Sequence, residues 1–172
     1  GDPIELDELG DRLHELWARH RGAGLVGEAL DGLISDIAPA RRVAILDAAA
    51  EAGITFLDTA DAYPLGAPLA DLGRTEEILG RWLKGRRDRF VLATKCFAPT
   101  GPSPWDAGNS RQNIMRAIDA SLRRLQTDHV DLYQLHRDNE EIPVGEFVDV
   151  MDEHFTAGRI KAYGGSNWST TR

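Results

Sequence analysis

Ile54-Thr-Phe-Leu-Asp58-Thr-Ala-Asp-Ala-Tyr63 sets a short apolar β-type run ahead of a carboxylate and then a tyrosine. Two later runs repeat the form. Phe90-Val-Leu-Ala-Thr-Lys95 ends in a lysine and Val130-Asp-Leu-Tyr-Gln-Leu-His136 in a histidine, each after a helix-type segment. Alternation along a strand puts Ile54, Phe56 and Asp58 on one face, Val91, Ala93 and Lys95 on one face, and Val130, Leu132, Gln134 and His136 on one face. If the three faces point the same way, three ionisable groups meet at the strands' C-terminal ends.

Working outward, the segments between these runs have helical spacing. Arg42 to Ala52 precedes the first run and is closed by Gly53; Thr75 to Lys84 follows it, with acids in the first turn where the helix dipole favours them. Ser110 is placed to cap a helix with Ile114, Ile118, Leu122 and Leu125 as its buried stripe. Val144 to Ala157 is helical, Gly158 breaks it, and Arg159-Ile-Lys-Ala-Tyr-Gly164 reads as a fourth strand running into Gly165-Ser-Asn-Trp168. The loops Thr59 to Gly73 and Phe97 to Asn109 are proline-rich and longer than a connection requires. Strand and helix in strict alternation give a parallel sheet, in a closed barrel or a doubly wound layer.

The first 41 residues read differently. Residues 2 to 20 form an amphipathic helical pattern through Leu6, Leu9, Leu13 and Leu16, and Leu25 to Ile37 forms a second, ended at Ala38-Pro39. Gly22-Ala-Gly-Leu-Val-Gly27 matches a dinucleotide-binding glycine pattern, but a polar helical run precedes it where a strand is required, so it reads as a loop. The domain reading is therefore a helical segment over 1–41 and a β/α unit over 42–172.

Composition narrows the function classes. The 172 residues are 42% hydrophobic and 28% charged, enough for one domain with a core, and the net charge of -8 argues against a nucleic-acid surface. One cysteine, Cys96, leaves no internal disulfide and fits a reducing, cytoplasmic setting; its parity opposite to Lys95 makes it a packing residue. Neither a membrane span nor a signal peptide is read, and the five histidines lack metal-ligand spacing. The chain starts without methionine, so it is expected to begin at a processing scar or within a longer protein. A kinase reading of His136-Arg-Asp138 fails because Pro143 stands where the catalytic-loop asparagine belongs.

Asp58-Thr-Ala-Asp-Ala-Tyr63, Leu92-Ala-Thr-Lys95, Ser121-Leu-Arg-Arg-Leu-Gln-Thr-Asp128, Asp131-Leu-Tyr-Gln-Leu-His136 and Gly165-Ser-Asn-Trp168, in this order, resemble the aldo-keto reductases over roughly residues 42–168. The resemblance implies a partial (β/α)8 TIM barrel that binds NADPH, or NADH, without a Rossmann domain and reduces a small-molecule aldehyde or ketone. It makes Tyr63 the general acid, Lys95 the cation beside it, Asp58 the partner of Lys95, and His136 the residue that orients or polarises the carbonyl. Ser166 and Asn167 match the pair that holds the nicotinamide carboxamide.

Residue chemistry points the same way. Hydride arriving at a carbonyl carbon builds an alkoxide, which needs a proton donor, and a free tyrosine with a pKa of about 10 is a reluctant one. A neighbouring ammonium stabilises the tyrosinate left behind, and a carboxylate keeps that ammonium in place. Taken singly, a strand-end Asp or His is more often a satisfied polar group than a catalyst; the shared parity and shared strand end reverse that reading.

Two departures from the family pattern matter. The residues before Arg42 look helical where a first strand is expected, and a full barrel has eight strands and about 250 residues. Three outcomes follow: part of a full reductase, two chains closing a composite barrel through open sheet edges, or a non-catalytic binding or regulatory subunit.

Overall fold

The computed structural model describes residues 39–169. The two helical patterns expected before Pro39, and the glycine pattern at 22–27, lie outside the described residues. The first helix, α1, spans Pro39–Glu51. It starts three residues earlier than the apolar spacing suggests, because proline suits the first helical position, where its missing N–H costs nothing.

After it come β1 (Phe56–Asp58), α2 (Arg74–Leu83), β2 (Val91–Cys96), α3 (Arg111–Leu125), β3 (Leu132–Leu135), α4 (Val144–Thr156) and β4 (Tyr163–Gly165). The described strands form one sheet in the order β1-β2-β3-β4, every neighbouring pair parallel. Two single turns of 3-10 helix, Leu69–Asp71 and Arg87–Arg89, were not legible in the sequence. β4 begins later than expected: Ile160 makes only an isolated bridge to Val130, and regular pairing resumes at Tyr163.

Parity behaves as the alternation requires. Leu57, Leu92, Cys96, Tyr133 and Leu135 join one core with Leu46 of α1, Ile78 and Leu79 of α2, Ile114, Ile118, Leu122 and Leu125 of α3, and Phe147, Val150 and Met151 of α4. Helices α1 to α4 thus share one face of the sheet, which selects the barrel over the doubly wound layer, where helices cover both faces. Ser110 caps α3 as expected, its hydroxyl accepting the Asn113 N–H at 3.2 Å.

A polar cross-link runs through this helical layer. Glu76, in the first turn of α2 and completely buried, accepts from Thr94 Oγ1 and from Arg124 Nε, both at 2.6 Å. It therefore ties α2, β2 and α3 together, and is not the solvated dipole partner its position suggested. Gly73, just ahead of α2 with φ +80°, lies against the Arg124 side chain: a Cβ there would sit 2.5 Å from Arg124 Cδ.

The N-terminal ends of the strands carry a second polar cluster. Asp131 accepts from Arg87 Nη2 at 2.7 Å and from the Leu92 N–H at 2.9 Å, with Lys161 Nζ at 3.4 Å. Arg87 also donates to the Phe90 and His129 carbonyls. Burial works to raise the Asp131 carboxyl, but the Leu92 N–H and the Arg87 guanidinium outweigh it and hold it below the usual aspartate range.

Candidate active site

At the opposite, C-terminal ends, register fixes the placement of the ionisable groups. Asp58 pairs with Ala93 and Lys95 pairs with Gln134, so the Asp58 and Lys95 side chains share the face turned away from the helices. Lys95 Nζ donates to Asp58 Oδ2 at 2.6 Å and to the Thr59 carbonyl at 3.0 Å. Gln134 Nε2 reaches Asp58 Oδ1 at 3.4 Å, a contact that the shared parity offered and the sequence reading left without a role. An ammonium has three donors, and these contacts occupy two.

The chain after β1 delivers the tyrosine. Thr59 N–H bonds the Ala93 carbonyl and Asp61 N–H the Lys95 carbonyl, both at 3.0 Å, so β1 stays zipped to β2 beyond its formal end. The Tyr63 carbonyl then accepts the Gly73 N–H at 3.1 Å, closing the Pro64 to Leu72 loop at its base. Tyr63 is only 2% exposed. Lys95 Nζ lies 5.3 Å from the centre of its ring, within cation–π range, and the His136 ring meets it edge-on at 5.7 Å and 72°.

His136 follows β3, its N–H bonding the Cys96 carbonyl at 2.9 Å. Ser166 follows β4, its N–H bonding the Leu135 carbonyl at 2.9 Å. Asn167, with φ 57°, donates through Nδ2 to the His136 carbonyl and to Ser166 Oγ, each at 3.0 Å. This leaves the Asn167 amide oxygen as an acceptor and the Ser166 hydroxyl as a donor, the complement of a primary carboxamide's NH₂ and C=O. All six residues singled out in the sequence therefore gather at one end of the sheet.

Sequence reasoning missed the buried groups behind this cluster. Asp61 is 2% exposed, and its Oδ1 finds no hydrogen-bond partner among the described residues. Burial first and the neighbouring Glu76 second push its carboxyl well above the usual range, against the pull of Arg124. The Cys96 thiol and Tyr133 hydroxyl are raised in the same way, chiefly by burial, so Cys96 is an inert core group, as its parity indicated. The signal for Asp61 was present but ambiguous: an acid inside the apolar run Thr59 to Tyr63.

The sequence matches the model of the Aldo/keto reductase family over residues 26–172. It is 40% identical over 124 residues to aldo-keto reductase YhdN of Bacillus subtilis, covering 71% of this chain and 35% of that protein. It is 38% identical over 128 residues to a probable voltage-gated potassium channel subunit beta of Arabidopsis thaliana, covering 73% of this chain and 37% of that one. Among solved structures, the aldo-keto reductase AKR11C1 from Bacillus halodurans, in its holo form, superposes with a TM-score of 0.69 at 36% identity, over 84% of this chain and 45% of that one. The chain thus spans less than half the length of each of these relatives.

Proposed function

The chain belongs to the aldo/keto reductase family, and from that premise we propose that it carries the catalytic half of a reductase acting on aldehydes or ketones, with Tyr63 as the proton donor. The observation that supports this most is the meeting of Asp58, Lys95, Tyr63 and His136 at one strand end. NADPH, with NADH as the second candidate, supplies the hydride, and Ser166 and Asn167 are the residues that would hold its carboxamide.

The roles follow from the chemistry of each group. Tyr63 passes its hydroxyl proton to the carbonyl oxygen as negative charge builds there, and the product leaves as an alcohol. Lys95 stabilises the tyrosinate that remains until solvent reprotonates it. Asp58 and the Thr59 carbonyl hold the ammonium, with Gln134 bracing the carboxylate from the far side. His136 presents a ring N–H to the same carbonyl oxygen, fixing which face of the substrate receives the hydride. Proton donation of this kind is worth about 10²- to 10⁴-fold, and a donor aimed at a developing oxyanion adds about 10²-fold or more.

The test is NADPH oxidation with 4-nitrobenzaldehyde, followed at 340 nm in the full-length protein. Tyr63→Phe keeps the ring packing and removes the proton; kcat is expected to fall at least about 100-fold with the circular dichroism unchanged. A variant that keeps the wild-type rate removes Tyr63 from the mechanism. The channel-subunit relative supports a second reading, a regulatory subunit that binds the cofactor without steady turnover. Quenching of tryptophan fluorescence by NADPH, with negligible oxidation across a panel of aldehydes, would favour it.

A further inference from the structure

We propose that Asn109 is a positioning residue for His136, acting on the backbone that carries the imidazole; this rests on the reading of His136 as the carbonyl-orienting group. Asn109 is the last residue before the α3 cap, and it is completely buried although it ends a long surface loop. Its Nδ2 donates to the Arg137 carbonyl at 2.8 Å. Its backbone N–H reaches Asn139 Oδ1 at 3.4 Å. The Arg137–Asp138 peptide, one beyond His136, is thus gripped from the α3 side by Asn109. The peptides around the ring are also held by the Cys96 carbonyl on the His136 N–H and by Asn167 on the His136 carbonyl.

The grip has a rigid foundation. Gly108 N–H bonds the Phe97 carbonyl at 2.7 Å, closing the loop at its base, and Asn113 Nδ2 holds the Gly108 carbonyl at 2.8 Å. Gly108 takes φ +77°, and a Cβ on it would come within 2.9 Å of Asn139 Oδ1, so the two loops meet at closest approach. Asn109 is therefore fixed to the N-terminal turn of a 15-residue helix and transmits that position to the segment after β3.

The amide is not a generic filler. A carbonyl can only accept, so the Asn109 nitrogen must face Arg137, and its oxygen has no partner among the described residues. One donor is used, and it is the donor aimed at the histidine segment. Aspartate is nearly isosteric but sets acceptor against acceptor when ionised, and it regains a donor when protonated.

The experiment labels the histidines with ¹³C at Cε1 and identifies the His136 signal by its loss in His136→Gln. In Asn109→Ala and Asn109→Asp of the full-length protein, the His136 signal is expected to shift and broaden, while Ser110→Ala, which loosens the same helix end, leaves it in place. Turnover of 4-nitrobenzaldehyde with NADPH is expected to fall about 10- to 100-fold in kcat, as for a misplaced reacting group, with KM for NADPH unchanged. In Asn109→Asp the rate deficit narrows as the new carboxyl is protonated at lower pH; in Asn109→Ala it does not. An unmoved His136 signal in both variants overturns the proposal, as does an unaltered kcat in an enzyme that Tyr63→Phe silences. A wild-type protein without turnover refutes the reductase reading alone, and the His136 signal then decides the role of Asn109.

Discussion

The two ends of the same sheet each hold a half-buried carboxylate against a cation, and they use it differently. At the N-terminal ends, Arg87 gives its donors to Asp131 and to two main-chain carbonyls, and Asp131 takes the Leu92 N–H. That cluster is tied into backbone. At the C-terminal ends, Lys95 is equally close to Asp58, at 2.6 Å, but it faces the Tyr63 ring and keeps one donor without a partner among the described residues. A guanidinium suits the first task because its fork saturates several acceptors at once; an ammonium suits the second because it is a compact charge that can serve a passing one. On the proposed function the contrast assigns folding to one end and chemistry to the other, as barrels of this kind divide their labour.

Substitutions at both ends sharpen or break that contrast. The largest effect is expected from Lys95→Met, which keeps the length of the side chain and deletes its charge: kcat for carbonyl reduction should drop about 10²- to 10⁴-fold. The contrast fails if Arg87→Met is as damaging to kcat per unit of lost stability.

Asp131→Asn comes next. Its cost should be stability alone, about 1–2 kcal/mol by urea unfolding, because the carboxylate keeps 22% of its side-chain surface in water. The folded Asp131 value lies below the ordinary 3.8, so its contribution is complete above that pH and is lost as pH falls through the folded value. The asparagine variant should therefore show a flatter acid limb than wild type, with kcat unchanged at neutral pH. A loss of turnover there would place chemistry at the wrong end.

Asp61→Asn should be the mildest and of opposite sign. The raised Asp61 carboxyl stabilises the fold only while protonated: its contribution is complete below 3.8 and disappears as pH rises through the folded value. The variant is expected to gain on wild type by roughly 2–4 °C in Tm on the alkaline side, with no gain near pH 4. An equal shift at both pH values would show that burial does not perturb this carboxyl.

Much of this was legible beforehand, for identifiable reasons. Period-2 alternation survives folding because a strand cannot turn a side chain to its other face, so Asp58, Lys95, and Gln134 with His136, could each be placed on one face of their own strand from sequence; that the faces coincide came from the register between strands. The α3 stripe and its Ser110 cap were equally clear, since both depend on spacing within one segment. What escaped depends on distant segments meeting. Glu76 looked like a surface acid until Arg124, 48 residues on, was brought to it, and Asn109 looked like a loop residue until Arg137 arrived behind it. The late start of β4 escaped for a related reason: strand length is set by the partner's register, and β3 offers regular pairing to it only from Tyr133.

The cross-link at Glu76 also constrains how this sequence can diverge. Gly73, Glu76, Thr94 and Arg124 form a set whose members should be exchanged together among homologues. A side chain at 73 requires a smaller residue at 124, and that change strands a buried carboxylate at 76 unless it too turns neutral or apolar. Covariation among these four columns, stronger than between any of them and Tyr63, would be the evolutionary trace of that contact.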